Sequence, residues 1–121
     1  MDWKFLFGTF DGRIDRQNFW IGQVVLVAAS VVAHLVAMAI VGTGDVGKLI
    51  GALITLALVY PYLVVDVKRL HDRGKTGWWI LLLLVPIIGF FWFVIELGCL
   101  RGTVGANRYG ADPLPPPAVA V

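Results

Sequence analysis

Three long apolar runs dominate the 121-residue sequence and constrain its fold more than any other feature. They cover residues 19–41, 49–65 and 78–97, and each approaches the roughly 20 residues that a helix needs to cross a bilayer. The connectors between them are too short to fold as a soluble domain. With 59% hydrophobic and 15% charged residues, a soluble protein of this size would lack a polar surface. The sequence therefore predicts an all-α fold, a polytopic membrane bundle of three transmembrane helices.

The chain is expected to form a single membrane domain over residues 1–113, followed by a proline-rich, flexible tail over residues 114–121. Its first 15 residues do not resemble a cleavable signal, since the first apolar run starts only at Phe19 and is longer than a signal core. Aromatic residues at helical spacing before that run predict a short interfacial helix. Pro86 and Gly89 interrupt the third run, which is expected to span the membrane with a kink or, alternatively, to re-enter it.

The distribution of positive charge predicts the orientation of the chain in the membrane. Seven of the ten lysine and arginine residues precede the first run or lie between the second and third runs, whereas the connector between the first two carries only Lys48. The positive-inside rule therefore places the N-terminus and the loop over residues 68–75 in the cytoplasm of a multi-pass protein. Three full spans would put the C-terminal tail outside, and a re-entrant third segment would return it to the cytoplasm.

Local spacing predicts several contacts around the first two spans. Asp15 is placed to cap the first transmembrane helix. On a helical extension of the second span, which Gly74 would end, Asp66 with Arg69 and Lys68 with Asp72 have the spacing of ion pairs.

Two further groups of residues are predicted from their depth in the membrane. Interfacial anchors are expected at Trp3, Trp20, Tyr60, Tyr62, Trp78 and Trp79. Two ionisable residues, His34 and Glu96, fall inside apolar runs and are candidates for a proton or ion role. His34 has Ser30 one turn away, so a neutral, hydrogen-bonded imidazole is the simpler expectation. Glu96 is expected to reach the far interface of a third span.

The segment over residues 69–79 carries the densest polar cluster. There, His71 with Asp72 could transfer protons and the neighbouring cations could bind phosphate, although a basic interfacial loop is the simpler interpretation. Gly74-Lys75-Thr76 is not a phosphate-binding loop, because Arg69 stands where the first glycine is required. A single cysteine, Cys99, excludes an internal disulfide. No metal site and no cofactor are predicted, since the histidines and carboxylates lack ligand spacing.

The sequence closely resembles the bacterial inner-membrane family catalogued as domain of unknown function 805, over residue 7 to about residue 113. Three matches carry the resemblance. The first is Phe10-Asp11-Gly12-Arg13-Ile14-Asp15-Arg16 with Phe19-Trp20; the second is Arg69-Leu70-His71-Asp72-Arg73-Gly74 with Gly77-Trp78-Trp79 and Pro86-Ile87-Ile88-Gly89; the third is Gly102-Thr103 with Asn107-Arg108-Tyr109-Gly110 and Asp112-Pro113. Asp15 and Lys68 depart slightly from the family pattern.

The resemblance implies a small multi-pass protein of the bacterial inner (plasma) membrane, with no established activity. Because the pattern specifies a histidine, an aspartate and glycines in order, it implies a defined polar site at the cytoplasmic interface. The residues of that candidate site are Arg13, Arg16, Arg69, His71, Asp72, Arg73, Asn107, Arg108 and Tyr109.

Three functions are compatible with the sequence. The first is a non-enzymatic membrane module, an accessory or a lipid- or partner-binding protein. The second is a homo-oligomeric transporter or channel component with His34 and Glu96 as lining groups. The third, a membrane-surface enzyme acting on a phosphorylated or lipid substrate through His71, is the least supported. The expected partners are membrane lipids with anionic headgroups, a second copy of the chain or a membrane protein, and not nucleic acid.

Overall fold

The computed structural model describes residues 2–115. Its helices are α1 (Trp3–Gly8), α2 (Arg16–Val41), α3 (Asp45–Asp72), a 3-10 helix (Gly77–Leu84), α4 (Ile88–Phe93) and a π-helical segment (Val94–Cys99). Within these residues the β-structure is a single bridge between Asn107 and Gly110, so the predicted all-α class is confirmed. The predicted single domain over residues 1–113 stays a prediction. Of the predicted tail over residues 114–121, residues 116–121 lie outside the described part of the chain.

The helix ends follow from local side-chain chemistry. The Asp2 carboxylate accepts a hydrogen bond from the Phe5 amide at the start of α1, and Asp15 accepts from the Asn18 amide at 3.2 Å, which confirms the predicted cap of α2. Gly42, with φ of 79°, ends α2. Gly74, with φ of 76°, follows the last residues of α3, as its sequence position predicts.

Helices α2 and α3 form a long hairpin and are the two helices long and apolar enough to cross a membrane. Only 6% of the most apolar window of α2 and 17% of that of α3 is buried inside the protein. Such exposed apolar helices differ from the core helices of a soluble protein, whose apolar faces are covered. Most of the buried core lies instead at one end of the hairpin, where α1, the C-terminal half of α3 and the π-helical segment meet, and it contains Leu6, Ile14, Phe19, Leu26, Val65, Leu70 and Leu97.

The third apolar run does not form one continuous helix, so the predicted third full span is not confirmed. The run consists of the 3-10 helix, a turn at Pro86 in which the Ile88 amide donates to the Pro86 carbonyl, and α4 with the π-helical segment. A Cβ on Gly89 would lie 2.2 Å from the Leu82 carbonyl oxygen, which shows how closely the two halves pack. The run therefore folds back on itself.

Both ends of this folded-back run lie beside the same end of α3. Gly77, at its start, packs against the Val67 side chain. Leu97, near its end, accepts a hydrogen bond from the Arg69 guanidinium at 2.6 Å. The following segment continues at this end, where the Thr103 amide donates to the Asp72 carbonyl at 2.6 Å. The α2–α3 turn lies at the opposite end of the hairpin.

Candidate functional site

Arg13 joins the loop before α2 to the C-terminal segment. Its guanidinium donates to the Asp72 carboxylate at 3.0 Å and to three backbone carbonyls, those of Thr103 at 2.6 Å, Gly105 at 2.7 Å and Gly110 at 3.2 Å. Arg13 is 4% exposed. Because these carbonyls lie on one short segment, the single side chain fixes that segment against the end of α3.

Arg69 makes the equivalent set of contacts from inside α3. It is fully buried and donates to the carbonyls of Leu97 and Leu100 and to the Asp72 carboxylate. Asp72 therefore lies between two buried guanidinium groups and is itself 2% exposed. We call Arg13, Arg69 and Asp72 the arginine cluster. The N–H groups of the two guanidinium groups donate to protein acceptors, so the cluster connects three segments of the chain. It does not present free guanidinium groups to a ligand.

His71 and Tyr109 lie next to the arginine cluster but face a cavity. Their rings stack at 3.9 Å between centroids with an interplanar angle of 2°. The His71 Nδ1 atom lies 3.1 Å from the Gly12 carbonyl oxygen, which requires a donor, so in the neutral imidazole Nε2 is the free acceptor. Asp72 is held by the arginines and does not orient His71, which corrects the expectation of a His71–Asp72 proton-transfer pair.

Asn107 and Arg108 fix Tyr109 in this position. The Asn107 amide nitrogen donates to the His71 carbonyl at 2.9 Å, and its oxygen accepts from the Tyr109 backbone amide at 2.8 Å. The exposed Arg108 guanidinium lies over the Tyr109 ring at 4.8 Å. The structure thus brings together the predicted residues of the third motif and His71 of the second.

A cavity of about 540 Å³ opens beside the His71–Tyr109 stack, and we call it the interfacial cavity. Its volume falls within the range of small-molecule sites. Two tryptophans at or near it, Trp78 and Trp79, are 79% and 45% exposed. The residues that line it are Phe10, Leu63, Val67, His71, Thr76, Gly77, Trp78, Ile80, Leu81 and Tyr109.

Glu96 lies among cations at the same end of the bundle. Its carboxylate is 3.0 Å from Arg73 and 2.7 Å from Lys75, and Arg73 also donates to the Arg101 carbonyl. This position corrects the expectation that Glu96 reaches the interface far from Trp78. Because the third run folds back, its end returns to the level at which it began.

Asp112 stabilises the C-terminal segment through hydrogen bonds to its backbone. It accepts hydrogen bonds from the Leu114 and Gly105 amides at 3.0 and 2.9 Å and pairs with Arg101 at 3.2 Å. The two backbone hydrogen bonds, with the Arg101 and Arg13 charges, lower the pKa of this carboxyl below its usual value. The carboxylate form therefore predominates at neutral pH and organises the turn that carries Tyr109.

The remaining predicted site residues lie outside this group. Arg16 is exposed and donates only to the Cys99 carbonyl among the described residues. The anchors Trp20 and Tyr60 donate to the carbonyls of Gly98 and Gly8, at 2.9 and 2.7 Å. Trp3 is half-exposed on α1, and Tyr62 packs against the buried core.

Two contacts differ from the ion pairs predicted by spacing on α3. Asp66 accepts from the Gln23 amide of α2 at 2.7 Å and does not pair with Arg69. The Lys68 ammonium lies 4.0 Å from the Phe5 ring centroid and does not pair with Asp72. Helical spacing identified partners on the same helix, whereas tertiary packing supplied partners from α2 and α1. A polar Gln23 within an otherwise apolar run was the sequence signal that could have indicated the first of these contacts.

Comparison with known proteins identifies the family of the chain. The model of a family of proteins of unknown function, DUF805, matches residues 7–111. The chain belongs to the DUF805 family. The inner membrane protein YhaH of Escherichia coli (strain K12) is 34% identical, with 93% of this chain and 97% of YhaH covered. The inner membrane protein YhaI of the same organism is 32% identical, with 86% of this chain and 85% of YhaI covered.

The names of YhaH and YhaI support a location in the inner membrane. A third relative, the uncharacterized protein YiiR of Escherichia coli (strain K12), is 30% identical, with 86% of this chain and 85% of YiiR covered. No solved structure matches the chain. The DUF805 resemblance predicted from the three motifs is confirmed, and the names of these relatives assign no reaction or ligand.

Proposed function

We propose that this DUF805 protein is a non-enzymatic membrane module that binds an anionic lipid in the interfacial cavity at its cytoplasmic face. The observation that carries this proposal is the apolar cavity of about 540 Å³ that ends at the His71–Tyr109 stack. An acyl chain would lie along the apolar walls, and the headgroup would lie at the polar end.

The charge around the cavity favours an anionic headgroup. Arg108 is exposed over Tyr109, and the Lys75 ammonium lies 5.7 Å from the centre of the Trp79 ring. Lys75 is shared with Glu96, whereas Arg108 pairs with no carboxylate within residues 2–115 and adds positive charge at this end of the cavity. Lysine and arginine side chains near a membrane surface each attract anionic lipid by about 1 kcal/mol.

The arginine cluster argues for a structural rather than catalytic role for the family motifs. Arg13 and Arg69 are buried, and their donors are directed to Asp72 and to backbone carbonyls. Asp72 is likewise unavailable as a partner for His71. Apart from the stacked Tyr109 ring, no acidic or basic side chain within residues 2–115 contacts the His71 imidazole.

The proposal includes a topology of two spans and a re-entrant third segment. Nine of the ten lysine and arginine residues lie within residues 1–16 or follow residue 67, and Lys48 alone lies near the α2–α3 turn. The positive-inside rule favours this end as the cytoplasmic one. The N-terminus, the interfacial cavity and the C-terminal segment then share the cytoplasmic face.

Photo-crosslinking tests lipid binding. The protein is reconstituted in phosphatidylethanolamine vesicles that contain a photoactivatable phosphatidylglycerol, and the cross-linked peptides are identified by mass spectrometry. Leu81→Trp narrows the cavity, and Leu53→Trp is its control because the two leucines are 53% and 52% exposed but only Leu81 lines the cavity. We expect cross-links within the cavity to fall several-fold in Leu81→Trp and to persist in Leu53→Trp.

Two outcomes would contradict the proposal. Equal cross-linking in both variants would show that the lipid does not occupy the cavity. A photoactivatable phosphatidylethanolamine could label the cavity as strongly as the phosphatidylglycerol probe does, and Arg108→Gln could be labelled as strongly as the parent protein. These two results together would show that the site does not select anionic headgroups.

A further inference from the structure

His34 forms hydrogen bonds within α2 through Nδ1 and to α3 through Nε2. Nδ1 lies 2.7 Å from the Ser30 carbonyl oxygen and 3.5 Å from the Ser30 hydroxyl. Nε2 lies 3.2 Å from both the Gly51 carbonyl oxygen and the Thr55 hydroxyl. The Thr55 hydroxyl is in turn 3.0 Å from the Gly51 carbonyl oxygen. This site lies in the apolar part of the hairpin, away from the interfacial cavity.

The same set of atoms satisfies both charge states of the imidazole. In the neutral ring, Nδ1–H donates to the Ser30 carbonyl and Nε2 accepts from the Thr55 hydroxyl. When Nε2 takes up a proton, it becomes a donor to the Gly51 carbonyl and the Thr55 oxygen, and the Thr55 hydroxyl hydrogen rotates to the Gly51 carbonyl. No polar atom of the ring loses a partner in either state. A purely structural histidine needs partners for only one state.

A cavity of about 260 Å³ extends from His34 toward the α2–α3 turn. Ala37, Gly47 and Lys48 are among the residues that line it. Since one water occupies about 30 Å³ of liquid, the cavity has room for several waters. Lys48 is the charged side chain on this cavity, and Ser30, Thr55 and the Gly51 carbonyl are the polar groups that face the ring from α2 and α3.

We propose that His34, Ser30, Gly51 and Thr55 form a proton-binding site between α2 and α3, supplied by water through the cavity at the α2–α3 turn. The proton is transferred from water to the Nε2 lone pair, and the imidazole becomes an imidazolium held by carbonyl and hydroxyl oxygens. Polar residues in the interior of a membrane protein are frequent parts of such proton sites.

Ring-¹⁵N-histidine NMR in phosphatidylcholine vesicles tests the site directly. The chain has two histidines, so a His71→Gln background reports His34 alone. We expect the Nδ1–H tautomer at neutral pH and conversion to the doubly protonated ring on acidification, with helical circular dichroism unchanged. A His34 ring that stays neutral at every pH at which the helices persist would overturn the proposal.

Two substitutions of Thr55 separate a proton site from a structural contact. Thr55→Val removes the donor to the neutral ring but leaves the Gly51 carbonyl for the imidazolium, so the midpoint of the titration should move to higher pH by about half to one unit. Thr55→Ser keeps the hydroxyl and should titrate like the parent protein. Identical titration curves for Thr55→Val and Thr55→Ser would show that the hydroxyl does not belong to the site and would overturn the proposed network.

Discussion

At the scale of single residues, Arg13 and Arg16 show how differently two arginines of one motif are used. Arg13 is buried and donates to one carboxylate and three carbonyls, whereas Arg16 is exposed and donates to one carbonyl. They are three positions apart in the sequence, and their residue type is the same. Burial therefore decides which of them stabilises the fold.

Replacing these arginines should affect stability unequally. Arg13→Gln leaves the buried Asp72 with one cationic partner and removes the side-chain donor to the Thr103 and Gly105 carbonyls, so we expect the free energy of unfolding to fall by about 3–5 kcal/mol. The matched change Arg16→Gln should alter it by no more than about 0.5 kcal/mol. Unfolding in mixed detergent micelles, followed by circular dichroism, measures both. Similar losses in the two variants would contradict the arginine cluster as described.

The sequence predicted these residues better than their contacts. The three family motifs contain residues that lie together in the structure, including Arg13, Asp72 and Tyr109. Spacing along α3 gave wrong ion pairs, because a helix presents neighbours at i+3 and i+4 but cannot reveal which other helix covers each face. Only a tertiary structure shows that Asp66 faces Gln23.

At the scale of elements, the third apolar run shows the limit of hydropathy. Its length predicted a span, yet length and apolar composition do not report whether a segment crosses a membrane or turns within it. Pro86 and Gly89 were the local signals for the turn, and both lie at the point where the chain reverses. The sequence thus located the break but not the direction of the chain after it.

Gly89 gives a direct test of the folded-back run. An added Cβ would lie 2.2 Å from the Leu82 carbonyl oxygen and 3.0 Å from the Leu83 Cα, both backbone atoms that cannot rotate away. We expect Gly89→Ala to lower the free energy of unfolding by about 1–3 kcal/mol. Gly8→Ala is the control, since nothing lies within 4 Å of its added Cβ. Thermal unfolding in detergent distinguishes them, and a Gly89→Ala protein as stable as the control would rule out this close packing.

At the scale of the whole molecule, the termini and the motifs are expected on one side of the membrane. Sequence composition predicted the membrane and the three motifs predicted the family, but three full spans would have separated the C-terminal motif from His71. The structure pairs Asn107 with the His71 carbonyl and Thr103 with the Asp72 carbonyl. A hydropathy profile averages neighbouring residues and therefore does not predict contacts between distant segments.

Cysteine labelling in cells tests this arrangement. In a Cys99→Ala background, Thr76→Cys and Ala111→Cys should both be protected from a membrane-impermeant maleimide until the cells are opened, because both positions lie near the end of α3. Thr43→Cys, at the exposed α2–α3 turn, should be labelled in intact cells. Labelling of Ala111→Cys in intact cells would instead favour three full spans and separate the two polar motifs.

The contacts of Arg13 also constrain when this protein can complete its fold. Its carbonyl acceptors lie 90 to 97 positions later in the sequence. A ribosome makes Arg13 early and these acceptors late, so α2 and α3 can enter the bilayer while Arg13 still lacks most of its partners. We expect the last folding step to be the docking of residues 103–110 onto a hairpin already inserted.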